Sequence, residues 1–300
     1  MKEYFLIVIT RIKNENMMLR SFIPYYFSQG VDKIFLLDDN SSEEFEDIVI
    51  NNPNVKIISV PYKNRHPEWS STLNVLTKEL REKTEWVLTV DCDEFITTRK
   101  NSEKTIRQEL IDNFSEVSCI KIPWVMFTRN ERIENPKYVL LDTVWRWNHD
   151  LSHKHKYNSW KYRDRKGDIE VKCIWKPSHY CRLACHHPHG PTSENIISVD
   201  SIDKLPSSIH PHHGSHYCNL SEEKIKRAYF TCNHYYCVSE EHAKQKCTTD
   251  SISGYNTIKH KTFHHESNIL ENVLISDYPE IKDTLLKDKF EKIDINNILY

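Results

Sequence analysis

Three hundred residues are enough for one large domain or two small ones, and 38% hydrophobic with 28% charged residues mark a globular rather than a disordered chain. With 41 basic against 43 acidic residues, the net charge of −2 gives no general attraction to nucleic acid or to an anionic membrane. Only five glycines occur, and none builds a G-x-G-x-x-G turn or a Walker A loop, so any phosphate must be held by a metal or by side chains.

Tyr4–Thr10 is an apolar run too short for a signal-peptide core or a membrane span, and it reads as a first β-strand. No later stretch spans a bilayer. Nine cysteines without a secretory signal point to a reducing, cytoplasmic setting with mostly free thiols. Asn16–Gln29 reads as a helix, with Met17, Leu19, Phe22, Ile23, Tyr26 and Phe27 apolar, Pro24 predicting a kink and Gly30 ending it. Val31–Leu37 is a second strand, followed by the polar loop Asp38–Glu43. Glu44–Asn51 reads as helical and Val55–Val60 as a third strand. Glu68–Arg81 is a helix carrying Trp69, Leu73, Leu76 and Leu80, and Trp86–Val90 is a fourth strand. Strands alternating with helices predict a parallel sheet. The polar clusters Thr10–Glu15, Asp38–Glu43 and Asp91–Glu94 would then share the carboxyl edge of that sheet, where open α/β sheets bind ligands.

Asp91 and Asp93 alternate with Cys92, so an extended backbone would aim both carboxylates to one face. Two such carboxylates repel unless a cation sits between them, and a hard divalent ion bridging to phosphate oxygens is the usual solution. Each cluster also has a purely structural reading. Lys13-Asn14-Glu15 is a possible N-cap and first helical turn, Asp38–Glu43 an Asx- and Ser-supported turn, and Asp91–Glu94 a solvated acidic turn.

In the second half, Ser118–Pro123 is a strand that Trp124–Phe127 extends. Tyr138–Trp147 is expected to follow as a strand, with Val171–Trp175 pairing to it in an antiparallel, aromatic-rich acceptor-side layer. Of Trp124, Trp145, Trp147, Trp160 and Trp175, one or two are expected at the acceptor and the others in the core. The basic stretch Lys154–Lys166 reads as a solvated loop. Sixteen of the seventeen histidines lie after residue 148, and seven of the nine cysteines lie at 173 or later. Cys181-x-x-x-Cys185-His186-His187-Pro188-His189 and His210-Pro211-His212-His213 lack the paired spacing of a zinc ribbon or finger, so loop histidines are expected, with a structural zinc as the lesser alternative. Residues 263–300 read as an appendage, with Ile281, Leu285, Leu286 and Phe290 forming one helical stripe packed on the body.

The order Arg11-x-Lys13-Asn14-Glu15, Gly30-Val31-Asp32, Asp38-x-x-Ser41-x-Glu43 and Trp86-Val87-x-x-x-Asp91-x-Asp93-Glu94-Phe95 resembles the GT-A glycosyltransferases, in particular the family 2-like and family 92-like group that includes the "domain of unknown function 23" proteins. His186-His187-Pro188 is similar to that group's histidine after the acceptor-side strands. Asn233-His234-Tyr235-Tyr236-x-x-Ser239-x-Glu241 is similar to its H-Y-x-x-S-x-E stretch, with Lys244 one position early for the closing lysine. Glu43 stands where the group usually has Asp, and Cys92 where an aliphatic residue is common.

The resemblance implies an α/β GT-A fold: a Rossmann-like nucleotide-binding sheet continued by a mixed or antiparallel acceptor-side region and a C-terminal helical appendage. Its expected limits are a transferase domain over 1–255, split into halves 1–115 and 116–255, and the appendage over 256–300. It further implies transfer from a nucleoside-diphosphate sugar, a UDP-sugar first, to a glycan or glycoprotein acceptor, with Mn2+ or Mg2+ as cofactor. Carried over residue by residue, Arg11, Asn14, Glu15, Asp38, Asp91, Cys92 and Asp93 would line the donor site, with Asp38 at the base and Glu15 near base or ribose. Asp91, Asp93 and His234 would take the metal. An inverting reaction would need a carboxylate near the acceptor hydroxyl. Glu131, Asp150, Asp164 and Asp168 are the local candidates. The rival readings are a nucleotidyl- or phosphotransferase using the same acids, a non-catalytic carbohydrate-binding protein on the same fold, and a zinc-organised interaction module over 173–247.

Overall fold

Four strands and their connecting helices occupy the first ninety residues, in the alternation the sequence predicts. The structure, a computed structural model, describes residues 2–60, 75–151, 153, 169–182, 186–206, 216–217, 219–246 and 277–295. Strands β1 (Tyr4–Ile12), β2 (Lys33–Asp38), β3 (Val55–Ser59) and β4 (Thr84–Thr89) lie parallel in the order β3-β2-β1-β4. Their inward residues Leu6, Val8, Ile34, Leu36, Trp86 and Leu88 are all buried. The helix Asn16–Ser28 covers this face with Met18, Leu19, Phe22, Ile23, Tyr25 and Tyr26, and it continues through Pro24. Gly30 then turns the chain at φ +85°, and a Cβ there would meet Arg107 Cβ at 2.7 Å, so glycine satisfies both the left-handed backbone and the close approach.

The chain then leaves the parallel register. After β5 (Glu94–Thr98) comes β6 (Cys119–Thr128), buried at every position, followed by β7 (Trp145–Arg146) and β8 (Ile169–Trp175). Short strands β9 (Tyr180–Arg182), β10 (His189–Pro191), β11 (Ser198–Asp200) and β12 (His216–Tyr217) precede β13 (Phe230–His234), and β14 (Ile281–Lys282) comes last. β8 is antiparallel to both β4 and β6, and so continues the sheet. β6 changes partners along its length. Cys119–Pro123 pairs with β8, Trp124–Met126 runs parallel to β13, and Phe127–Thr128 pairs with β7. The switch falls at Pro123, which has no N–H to give to a ladder. β13 is in turn antiparallel to β5, with His234 opposite Glu94.

Two expectations are corrected here. Residues 138–147 do not form one strand: Val139–Asp142 is a helical turn, and only Trp145–Arg146 is extended. β8 pairs with β4 and β6 rather than with that segment. Its unbroken burial over Val171–Trp175 suits a central strand, which the apolar run alone did not locate. Ile281 lies on β14, so the C-terminal stripe is not one helix; Leu286 and Phe290, on the helix Leu285–Phe290, are buried in the main core. This segment is tied down by charge. Arg146 donates to Glu222 at 2.8 and 2.7 Å and to Asp283 at 2.7 Å, and Arg99 pairs with Asp283 at 2.8 Å.

β5 is held from two sides. The Tyr25 hydroxyl donates to the Ile96 carbonyl at 2.7 Å, and the Tyr26 hydroxyl donates to the Glu94 carbonyl at 2.9 Å while accepting the Ile96 amide at 3.1 Å. Phe95 is fully buried among Phe22, Tyr25, Tyr26 and Tyr235, with ring centroids 5.4–6.2 Å away. Phe95→Ala is therefore expected to cost about 3–5 kcal/mol of unfolding free energy in urea titration. A cost under about 1 kcal/mol would mean that β5 is not fixed by this aromatic cage.

Candidate active site

The three polar clusters do share one edge. Ile12 of β1 is in register with Asp38 of β2, and Ile9 with Thr89 of β4, so the chain emerges from adjacent strands into three neighbouring loops. The first two loops are tied together by Asn14. Its side-chain oxygen accepts the Ser42 and Glu43 amides at 2.7 and 3.1 Å, and its own amide donates to Ser41 Oγ at 2.9 Å. Asp38 Oδ1 accepts from the Ser41 amide and hydroxyl at 3.0 and 2.6 Å. The Asx turn read from the sequence is thus present, and Asn14 has the positive φ of 54° that such local side-chain bonding supports.

The acidic cluster is not extended. β4 ends at Thr89, and Cys92-Asp93 form a turn before β5 begins at Glu94. The two aspartates consequently meet different partners instead of a common face. Asp91 Oδ2 accepts from Lys172 on β8 at 2.9 Å, and that ammonium also lies 3.1 Å from Glu94 Oε2. Glu94 in turn accepts the Asp91 amide at 2.8 Å. Asp93 Oδ2 accepts from Lys246 at 2.6 Å, while His234 Nε2 stands 3.6 Å from Asp93 Oδ1. The backbone carries this second pairing, because the Tyr235 amide donates to the Asp93 carbonyl at 2.8 Å. Cys92 is buried in the main core between them.

The charge states follow from these contacts. Burial raises the Asp91 carboxyl, but Lys172 and Arg11 outweigh it and leave the group at about 2. Burial likewise opposes ionisation of Asp93, and Lys246 and His234 hold it well below the usual carboxylate range. Lys246 is kept protonated against its own burial by Asp93 and Glu15. Burial lowers His234 despite the Asp93 charge, which favours the neutral ring that a metal requires. Burial pushes Glu94 well above the carboxylate range against the pull of Lys172.

Trp124 stands beside these groups, its ring 4.2 Å from that of His234 and 5.8 Å from that of His186. His186 Nδ1 donates to the Val171 carbonyl at 3.0 Å, and its Nε2 lies 3.9 Å from Glu170 Oε2. Trp147 and Trp175 are buried, and Trp147 stacks on His153. Trp160 lies outside the described residues, as do Asp164, Asp168 and the 154–166 stretch. Glu131 sits in an exposed turn whose amide donates to Asp277, and Asp150 is exposed and accepts the Glu222 amide at 3.2 Å. Among the described residues no group of three or more His, Cys, Asp or Glu side chains converges as a metal cage. Cys185 and His210–His213 lie outside those residues. No helix among the described residues is long and apolar enough to cross a membrane.

Lys172 and Lys246 are the site residues that the sequence reading missed. Lys244, read as the closing lysine of the motif, is more than half exposed on its side chain and pairs with Glu240 at 2.7 Å, whereas Lys246 reaches Asp93. The signal available for Lys172 was a lysine inside the otherwise apolar run Val171–Trp175, an arrangement that calls for a buried partner.

The profile of glycosyltransferase family 92 matches residues 9–233, three-quarters of the chain, and the chain belongs to that family. Membership supports a glycosyltransferase activity in general, which uses a nucleotide-sugar donor and a glycan acceptor. No curated protein matches the chain. Among solved structures, 4-diphosphocytidyl-2C-methyl-D-erythritol synthase from Anaerococcus prevotii DSM 20548 matches 75% of this chain and 97% of its own at 10% identity, with a TM-score of 0.30. A likeness that loose carries no argument about fold or activity.

Glu15 offers a pH-dependent readout of this cluster. Burial pushes its carboxyl up to about 7 from 4.5, with Lys246 opposing and Asp93 adding. The folded state therefore binds the proton more tightly than the unfolded state, and stability falls as pH rises from about 4.5 to about 7. Glu15→Gln is expected to lose less stability than the wild type between about pH 5 and pH 7 in urea unfolding. Equal losses in the two proteins would show that Glu15 is already ionised throughout.

Proposed function

We propose that this family 92 member is a GT-A transferase that moves a sugar from a nucleoside-diphosphate sugar, a UDP-sugar first, to a glycan or glycoprotein acceptor with inversion, using Mn2+ or Mg2+. The observation that carries the reading is the approach of His234 Nε2 to Asp93 Oδ1, 3.6 Å, at the carboxyl edge of the parallel strands. Two atoms each about 2.1 Å from a shared ion lie within about 4.2 Å of each other, so this pair fits a divalent cation. When bound, the ion supplies Lewis-acid stabilisation of the departing nucleoside diphosphate.

The chain's own residues do the remaining work. Asp38, at the end of β2, offers a carboxylate to the base, and Arg11, Asn14 and Glu15 line the loop between base and ribose. Asp91, held ionised by Lys172, is suited to accept from the ribose hydroxyls. The ammonium groups of Lys172 and Lys246 put positive charge where negative charge grows on the leaving group. Trp124 is buried and packs against the His234 ring, holding that imidazole in place beside Asp93.

Asp93 is buried against Lys246, so the conservative Asp93→Asn, which leaves Lys246 an oxygen to bond, is expected to abolish sugar transfer and divalent-dependent donor binding while the chain stays folded. Turnover unchanged from wild type would remove Asp93 from the reaction. Asp38→Asn keeps the turn-forming oxygen and alters only the charge offered to the base, so it should raise KM for donor more than it lowers kcat. An equal fall in kcat with donor affinity intact would move Asp38 out of the nucleotide pocket.

A further inference from the structure

Lys246 sits where a second cation would have to go. Its ammonium donates to Asp93 Oδ2 at 2.6 Å and to the Tyr236 carbonyl at 2.7 Å, and it lies 4.7 Å from the centroid of the Tyr236 ring. It is 9% exposed and is the last residue of the helix Glu240–Lys246. The preceding residue, Gln245, donates to the Asn14 carbonyl at 3.3 Å, so this helix end is fastened to the β1 loop of the same edge. Asp91 has its own counter-ion in Lys172, leaving Lys246 as the ammonium that faces the Asp93–His234 pair.

A divalent ion on Asp93 would stand beside this ammonium on the same nearly buried carboxylate, and like charges so close repel strongly away from bulk water. Among the described residues too few ligands stand by to outcompete the lysine. A hard ion takes about six ligands, and here Asp93 and His234 supply a pair. A diphosphate changes both terms. It adds oxygen ligands for the ion, and it gives the ammonium another anion to meet, within reach of a four-carbon side chain that pivots without moving its helix.

We propose that Lys246 is a placeholder cation on Asp93, so that a divalent ion enters the site only together with a diphosphate, to which Lys246 then transfers its hydrogen bond. This rests on the donor-site reading above and deepens it. The device keeps Asp93 in place between turnovers, and it makes loading of the ion conditional on the donor. Lys246 acts here by binding and positioning; no covalent step is assigned to it.

The test is binding of Mn2+ to the full chain, followed by electron paramagnetic resonance with and without UDP. In the wild type, Mn2+ alone should bind weakly, and saturating UDP should tighten it at least tenfold. In Lys246→Met and Lys246→Gln, Mn2+ alone should bind about tenfold or more tightly than in the wild type, and the enhancement by UDP should shrink, because the competing charge and the phosphate contact are both gone. Mn2+ affinity unchanged in whichever variant keeps the wild-type circular dichroism overturns the placeholder role while leaving the transferase reading standing. A wild-type chain that binds neither Mn2+ nor UDP overturns both. A crystal structure of the wild type with Mn2+ and UDP gives a check without substitution: Lys246 Nζ on a phosphate oxygen supports the exchange, and Lys246 still on Asp93 refutes it.

Discussion

Four carboxyl groups, Glu15, Asp91, Asp93 and Glu94, crowd the carboxyl edge of this sheet, and two lysines make that crowding tolerable. Lys172 and Lys246 each place an ammonium within hydrogen-bond distance of one aspartate. Burial in protein raises the free energy of an isolated carboxylate enough to protonate it. The same burial strengthens each ion pair, and Asp91 and Asp93 stay ionised while Glu15 and Glu94 shift upward. The cluster is therefore split into two members that paired lysines keep charged, Asp91 and Asp93, and two that hold a proton more tightly than a free carboxyl, Glu15 and Glu94.

The backbone makes that split possible. β4 belongs to the parallel sheet, but the turn after it hands the chain to β5, whose partner is β13. Asp91 thereby stays with β8 and Lys172, while Asp93 is carried toward His234 and Lys246. β6 holds the two systems together by pairing with β8 before Pro123 and with β13 after it. The aromatic cage around Phe95 fixes β5, and the Arg146–Glu222–Asp283 and Arg99–Asp283 pairs fasten the C-terminal segment to the far side of β6 through β7. Removing one partner from such a buried group strands a charge, which costs far more than a surface pair contributes.

Local patterns made the first half of the fold legible. Each of β1 to β4 is a short apolar run closed by polar residues, and the helix Asn16–Ser28 carries its apolar side chains at helical spacing. Tyr138–Trp147 misled because aromatic and β-branched residues suit a strand as well as a packed turn; Val139 and Leu140 are buried either way. β5 was hidden inside the acidic motif, since Glu94–Thr98 looks like the end of a loop until β13 is brought beside it.

The sequence by itself determined the alternation of strands and helices, the edge at which Asp38, Asp91 and Asp93 emerge, and the motif order shared with a glycosyltransferase family. Those features are written in neighbouring residues, where spacing and side-chain type suffice. Only the tertiary structure decided which cations face which acids. Lys172 and Asp91 are 81 positions apart, and Lys246 and Asp93 are 153 apart. Lys244 turns outward to Glu240 while Lys246, two residues on, reaches Asp93, so the choice depends on the helix end that the packed sheet places above the edge.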